Sequence, residues 1–309
     1  MSMLDRINQS LEKAMILAHS KQGPQLLQEA MHYSVFPGGA RIRPQLCLAV
    51  AAACGDDDPA LSNAAASAIE LLHCASLVHD DLPCFDNAQL RRGRPSVHAA
   101  YGERIAVLAG DALIVLAFQV LANSGTRSIF RLGPLMNTIA MSVGSPHGIV
   151  AGQAWECEPK VVLRDYQRAK TGSLFEAATA AGAQAAGADA ATWRPLGEWL
   201  GEAYQVADDI RDVVADQTEL GKPAGQDVAH DRPSSAKDLG LSGAVQRFDE
   251  LVQKAIASIP HCKGEKMLRA LVTQESERLV PSDWFKDAKR KILFRQTWFD
   301  ETKFFFSHP

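Results

Sequence analysis

Two aspartate runs are the residues of this 309-residue chain whose types and spacing could do chemistry: Asp80-Asp81-Leu82-Pro83-Cys84-Phe85-Asp86 and Asp208-Asp209-Ile210-Arg211-Asp212. Both stand in segments that otherwise read as apolar helix. Carboxylates on helices whose other faces are alanine, leucine and valine repel one another and resist burial unless cations neutralise them. A cation is therefore implied. Oxygen donors with no histidine-cysteine ligand spacing beside them suit hard Mg²⁺, which is held by a few carboxylates and keeps positions for water or substrate phosphates. The expected ligand is a diphosphate. Asp208 and Asp212 are four apart and share a helix face, with Asp209 alongside. Pro83 cannot continue a regular helix from Asp80, so the first run ends its helix and curls Asp86 back towards the same ions. A lone Asp-Asp pair is ordinarily a cap or a solvated face; two runs embedded in apolar helices argue against that explanation.

Cationic residues gather at the breaks between helices: Arg41, Arg43, Arg91, Arg92, Arg94, Lys170 and Lys222. The planar fork of arginine grips a phosphate through paired hydrogen bonds, and lysine supplies a compact charge to a diphosphate oxygen. His73 precedes Asp80 by two helical turns on the same stripe, which places its imidazole within reach of a second diphosphate.

The elements that must position these groups are helices. Apolar residues recur at three-and-four spacing and strand signals are scarce, which predicts an all-α fold, a single large helical bundle with a central cavity between facing helices. Helices are expected at about 3-19, 24-34, 41-54, 61-84, 104-123, 127-142, 147-156, 163-186, 192-215, 241-258 and 264-279. Turns fall at Pro37-Gly38-Gly39, Gly55 to Pro59, Arg92 to Pro95 and Gly221-Lys222-Pro223, and Asp58 or Ser62 is placed to cap the helix that ends at the first aspartates. No internal repeat and no linker divide the chain. A hydrophobic fraction of 47% supports a sizeable core. The net charge of -4 and pI near 6.1 leave no electrostatic footprint for nucleic acid. The six cysteines lack CxxC spacing and sit mostly in apolar helical stretches, as expected of reduced thiols in a cytoplasmic protein. The amphipathic N-terminus lacks the form of a signal peptide. The apolar run from Ile105 to Ala122 contains Gly110, Asp111 and Gln119 and is expected to be buried in protein, without membrane insertion.

Several of these stretches together resemble the trans-isoprenyl diphosphate synthases, over about residues 25 to 280. LLHCASLVHDDLPCFDNAQLRRGRPSVH is similar to the first aspartate-rich region of that family with its Arg-Arg-Gly tail, and YQVADDIRDVVAD with the later LGKPAGQD to the second. Gly38-Gly39-Ala40-Arg41-Ile42-Arg43-Pro44, Gly152-Gln153 and Lys170-Thr171-Gly172 resemble the remaining signatures. Within the family, the resemblance is nearest to bacterial geranylgeranyl diphosphate synthases of pigment pathways.

The resemblance implies the isoprenoid synthase fold, a homodimer, and three Mg²⁺ ions with Asp80, Asp86 and Asp208 as principal ligands, Asp81, Asp209 and Asp212 completing the clusters. It implies that Arg91, Lys170 and Lys222 hold the allylic diphosphate and that Arg43, His73 and Arg92 hold isopentenyl diphosphate. Thr171 and Gln205 would lie beside the reacting allylic carbon. The implied product is geranylgeranyl diphosphate, with farnesyl diphosphate as the alternative, because Ala75 and Ser76 stand below Asp80 and farnesyl synthases commonly carry an aromatic residue at the position of Ala75. A helical turn of about 5.4 Å places these residues against an early part of the growing tail.

The chain departs from the family pattern in four places. Ala40 replaces a lysine expected to contact isopentenyl diphosphate. Asn87, Ala88 and Gln89 replace residues that are often acidic, and Glu156 and Glu158 stand where aspartates are common. Residues 1-281 form the expected synthase domain, and residues 282-309 an extension rich in aromatic and basic residues. Three rival readings account for less of the sequence. A metal-dependent phosphohydrolase built on His79 and Asp80 leaves Asp81, Asp86, Asp212 and the Arg91-Arg92 pair without a role. A terpene cyclase usually carries an Asn/Ser/Glu-type triad where this chain has three aspartates, and a non-catalytic homologous subunit finds support only in Ala40.

Overall fold

The computed structural model describes residues 2-36, 38-160, 162-214 and 235-280. Helices make up nearly all of the regular structure among them. In chain order these are α1 (Met3–Ala18), α2 (Gln25–Val35), α3 (Ile42–Ala53), α4 (Pro59–Asp80), α5 (Val97–Tyr101), α6 (Glu103–Ala122), α7 (Ile129–Val143), α8 (Ile149–Trp155), α9 (Leu163–Gln167), α10 (Ser173–Ala185), α11 (Ala190–Val214), α12 (Ser235–Ala257) and α13 (Glu265–Leu279). A π-helical turn, Arg168–Gly172, joins α9 to α10. Lys222 and residues 282-309 lie outside the described residues.

Sequence explains why α10 and α4 are central. In α10 (SLFEAATAAGAQA) nearly every position is small or apolar and buried, and the helix packs against α3, α4, α7 and α11. A helix apolar all round belongs in a core, and its small residues let neighbours come close. At Gly182 an added Cβ would meet the Cys47 backbone of α3. The side chain of Asp58 caps α4 through the Leu61 N–H, and Pro59 occupies its first turn. The same carboxylate accepts from Thr126 Oγ1 at 2.6 Å and from the Ser128 N–H at 3.1 Å, tying down the loop that precedes α7.

Four local features differ from the sequence-based expectation. The helix α4 stops at Asp80, four residues short of the predicted end, because Pro83 has no N–H to give and its ring would clash with the carbonyl one turn back. The single helix predicted over 163-186 is interrupted by the π turn. A short helix, α5, stands where none is predicted. Leu90–Arg91 and Arg94–Pro95 form a two-residue hairpin, β1 and β2, turned by Arg92 at φ 55° and Gly93 at φ 76°. Two positive φ values in a two-residue loop suit the twist of paired strands. α4 and α6 are both long and apolar enough to span a bilayer, and in the fold they pack against each other.

Candidate active site

On α4, the residues Leu72, Ala75, Ser76, His79 and Asp80 follow the three-and-four spacing of one stripe and line a single cavity. Beyond Asp80 the chain turns back on itself. The Asp86 N–H donates to Asp80 O at 3.0 Å and the Ala88 N–H to Asp81 O at 3.1 Å, which brings Asp86 round to the end of α4. Asp81 faces the other way. It is 2% exposed, and Arg91 holds it through Nε at 2.9 and 3.1 Å and through Nη2. Burial pushes the pKa of both Asp80 and Asp81 upward; Lys170 opposes this most at Asp80, and Arg91 at Asp81. Asp80 therefore carries a desolvation cost that the protein's own cations only partly offset.

The second run behaves in the same way on α11. Asp209 is 1% exposed and turned inward, where it accepts from Gln205 Nε2 at 3.0 Å and from the Ser235 N–H at 2.7 Å. Asp208, with Arg211 Nη1 at 3.8 Å, and Asp212 are less buried and share the other face, one turn apart. Asp81 and Asp209 are thus both buried carboxylates held by protein donors.

Two sets of contacts link the walls. In the π turn, Lys170 Nζ lies 3.5 Å from Asp80 Oδ1, and the next residue, Thr171, donates Oγ1–H to Gln205 Oε1 at 2.8 Å. Adjacent residues therefore touch the first wall and the residue that holds the second. The π turn owes its position to two glycines. An added Cβ at Gly152 of α8 would lie 2.5 Å from Lys170 Cα, and one at Gly201 of α11 2.7 Å from Gly172 Cα. π turns of this kind are common at functional sites.

Arg43 forms the second link. Its guanidinium stacks on Phe175 at 4.3 Å and Tyr204 at 5.4 Å, lies 3.4 Å from His73 Nε2 on α4, and feels the charge of Asp208 on α11. Desolvation, followed by the charge of Arg43, Arg92, Arg91 and Arg41, lowers the His73 pKa well below the usual imidazole value. Arg92 stands at the hairpin tip against Gly39, and Arg94 anchors the hairpin to α2 by donating to Tyr33 O and, at 2.8 Å, to Phe36 O. Arg41 leaves the group of cations predicted to meet phosphate: it is buried in an ion pair with Glu70 at 2.5 Å and donates to Val35 O at 2.6 Å.

Beneath Asp80 the stripe of α4 opens onto an apolar cavity of about 350 Å³. Ile114 of α6, Val143 of α7 and Ile149 and Val150 of α8 form further walls, and Ala75 and Ser76 line it as the sequence leads one to expect. Several further residues here have no role assigned from the sequence. Leu72 and Ile114 line the cavity on α4 and α6, and Gln153, one residue beyond Gly152, lines it with a buried Nε2 that has no hydrogen-bond partner. Glu156 and Tyr166 surround Lys170: Glu156 Oε1 is 2.5 Å from Nζ and accepts from the Tyr166 hydroxyl at 2.6 Å. The place of Glu156 four residues after Gly152, on one helical stripe, was the available signal.

The donor set fits a divalent cation. Asp80 Oδ1 is buried without a hydrogen bond and feels the charge of Asp86, while Asp208 and Asp212 present further hard oxygen donors on α11; among the described residues no three such side chains converge on one point. Such a site suits the ionisation of a diphosphate ester above an apolar cavity that receives its hydrocarbon part.

Comparison with known proteins agrees with this geometry. The family model described as polyprenyl synthetase matches residues 24-272. The chain is 52% identical to the geranylgeranyl diphosphate synthase of Cereibacter sphaeroides over 282 residues, 91% of this chain and 98% of that one. It is 50% identical to that of Rhodobacter capsulatus over 280 residues, 91% and 97% of the two chains. Among solved structures, a geranyltransferase from Helicobacter pylori complexed with magnesium and isoprenyl diphosphate superposes with a TM-score of 0.71 at 30% identity, covering 93% of this chain and 98% of that one.

Proposed function

The chain belongs to the polyprenyl synthetase family and is a short-chain prenyltransferase, and we propose that it elongates allylic diphosphates with isopentenyl diphosphate to geranylgeranyl diphosphate. One observation carries the site assignment. Lys170 and Thr171, adjacent in the π turn, reach Asp80 and the Gln205–Asp209 pair above a 350 Å³ apolar cavity.

In this reading Asp80, Asp86, Asp208 and Asp212 hold Mg²⁺, three ions in all, with Asp81 and Asp209 buttressing the two walls. Bound Mg²⁺ would supply positive charge against the diphosphate as its bond to the allylic carbon breaks. Lys170, Arg91 and Lys222 bind the allylic diphosphate and stabilise the charge that develops on it. Arg43, His73 and Arg92 orient isopentenyl diphosphate across the cleft. Thr171 and Gln205 present oxygens beside the carbon that becomes cationic. The double bond of isopentenyl diphosphate attacks that carbon, and a proton is lost to the departing diphosphate. Apolar walls below Asp80 keep water from quenching the cation.

The product length rests on Ala75, Ser76 and, one turn lower, Leu72. Ala75 adds little bulk to the α4 stripe, so the tail passes it and descends towards Leu72 and Ile114. Residues 1-281 act as the catalytic domain in this reading. The assembly we propose is a cytoplasmic homodimer joined along the outer face of α6, where Val107, Leu108 and Val115 are exposed.

The test is to incubate purified protein with isopentenyl diphosphate, Mg²⁺ and each allylic primer, then to size the dephosphorylated alcohols. A twenty-carbon alcohol is expected from the wild type, and a shorter one from Ala75→Phe, whose ring would fill the cavity below Asp80. Fifteen carbons from the wild type would make it a farnesyl synthase. An unchanged length in Ala75→Phe would place the floor elsewhere.

A further inference from the structure

Lys170 is enclosed from three directions. Asp80 Oδ1 lies 3.5 Å from its ammonium, Glu156 Oε1 lies 2.5 Å away, and the ring of Tyr166 stands 5.7 Å from it. Glu156 is itself held, because the Tyr166 hydroxyl donates to the same Oε1 at 2.6 Å. The two residues come from different elements. Tyr166 is on α9, four residues before Lys170, whereas Glu156 caps the end of α8, four residues after the Gly152 that seats α8 against the Lys170 backbone. One stripe of α8 thus fixes both the backbone and the side chain of this lysine.

We propose that Glu156, braced by Tyr166, is a positioning residue that aims the Lys170 ammonium at the allylic diphosphate. The inference rests on the reading of Lys170 as a ligand of that diphosphate. A lysine has a flexible four-carbon stem and three equivalent donors, so it acts as a point charge whose direction must come from its surroundings. A charge-assisted hydrogen bond from a braced carboxylate supplies that direction. With Asp80 committed to bound cations, Glu156 would keep Lys170 at the rim of the cleft. The preorganised charge then needs no rearrangement as the carbon-oxygen bond breaks.

The experiment is a double-mutant cycle on the full chain with Mg²⁺, reading kcat and KM for each substrate. Glu156→Gln is expected to lower kcat/KM for the allylic diphosphate about tenfold, the effect of losing one charged hydrogen bond. The KM for isopentenyl diphosphate, held by Arg43, His73 and Arg92, should stay within about twofold. Tyr166→Phe, which removes only the brace, should give a smaller loss in the same direction. In a Lys170→Ala background, Glu156→Gln should add nothing further, because its effect passes through the lysine. Multiplying losses, equal changes for both substrates, or an unchanged Glu156→Gln enzyme would each overturn the inference. A Lys170→Ala enzyme with unaltered allylic kinetics would instead overturn the reading of Lys170 itself.

Discussion

At His73 a residue's charge state follows from its neighbours. The imidazole is partly buried, with Arg43 at 3.4 Å and the charges of Arg92, Arg91 and Arg41 around it, so it is neutral near pH 7. Its folded pKa lies below the unfolded value near 6.5, so the unfolded chain binds more protons as pH falls through that value. The cost to stability therefore appears below about pH 6.5 and is absent above it. A diphosphate beside the arginines would cancel their repulsion and raise the folded pKa again. Binding of isopentenyl diphosphate at about pH 6 is then expected to draw a proton onto His73. Calorimetry in two buffers of different ionisation enthalpy measures this. Uptake should be greater in the wild type than in His73→Gln, and equal values in the two proteins would remove His73 from the site. The sequence placed His73 on the stripe of Asp80, but it could not show the arginines of two other segments converging there.

At the scale of elements, the π turn is the structure on which the site depends, and glycines set its place. The backbone at Lys170 leaves no room for a Cβ at Gly152, so Gly152→Ala must push α8 away from the turn. Overpacking of this kind costs about 1–3 kcal/mol. For a chain of this size that is a fall of several degrees in Tm, and the displaced Lys170 and Thr171 should lower kcat far more than stability alone predicts. Gly133 on α7 supplies the control. An added Cβ there meets nothing within 4 Å, so Gly133→Ala should leave kcat unchanged and raise Tm slightly. Scanning calorimetry with steady-state kinetics separates the two, and a Gly152→Ala enzyme of full activity would contradict the role given to the turn. Periodicity made the helices legible, and with them the place of Ala75 and Ser76 below Asp80 and the shared face of Asp208 and Asp212. It could not reveal the π turn, because one shifted hydrogen bond leaves the apolar pattern of 163-186 intact. Nor could it tell Asp80 from Asp81, since neighbouring aspartates look alike until Arg91 claims one of them.

For the whole molecule, α6 poses the question the monomer leaves open. Its apolarity reads in the sequence as a helix buried on every side, yet only one face packs on α4. Leu108 at 51% and Val115 at 57% exposure lie on the outer face with Val107. Asp111 lies in the same stripe, 3.6 Å from His79, and Gly110 makes room for that ring, since an added Cβ would come within 2.5 Å of its Cδ2. His79 also lines the cavity beneath Asp80, so the outer face of α6 and the product cavity share a wall one side chain thick. A second copy laid along this face would bury the aliphatic stripe and stiffen that wall. Leu108→Glu would place a carboxylate in the middle of the contact, beside Asp111 and opposite its own mate across a twofold axis. Burying unpaired like charges costs several kcal/mol, enough to dissociate a dimer at micromolar concentration. Sedimentation velocity should then show a dimer for the wild type and a monomer for Leu108→Glu. With the wall released, the monomer should also yield a broader spread of product lengths. A wild type that sediments as a monomer, or a Leu108→Glu protein that remains dimeric, would mean that something other than a second copy covers α6.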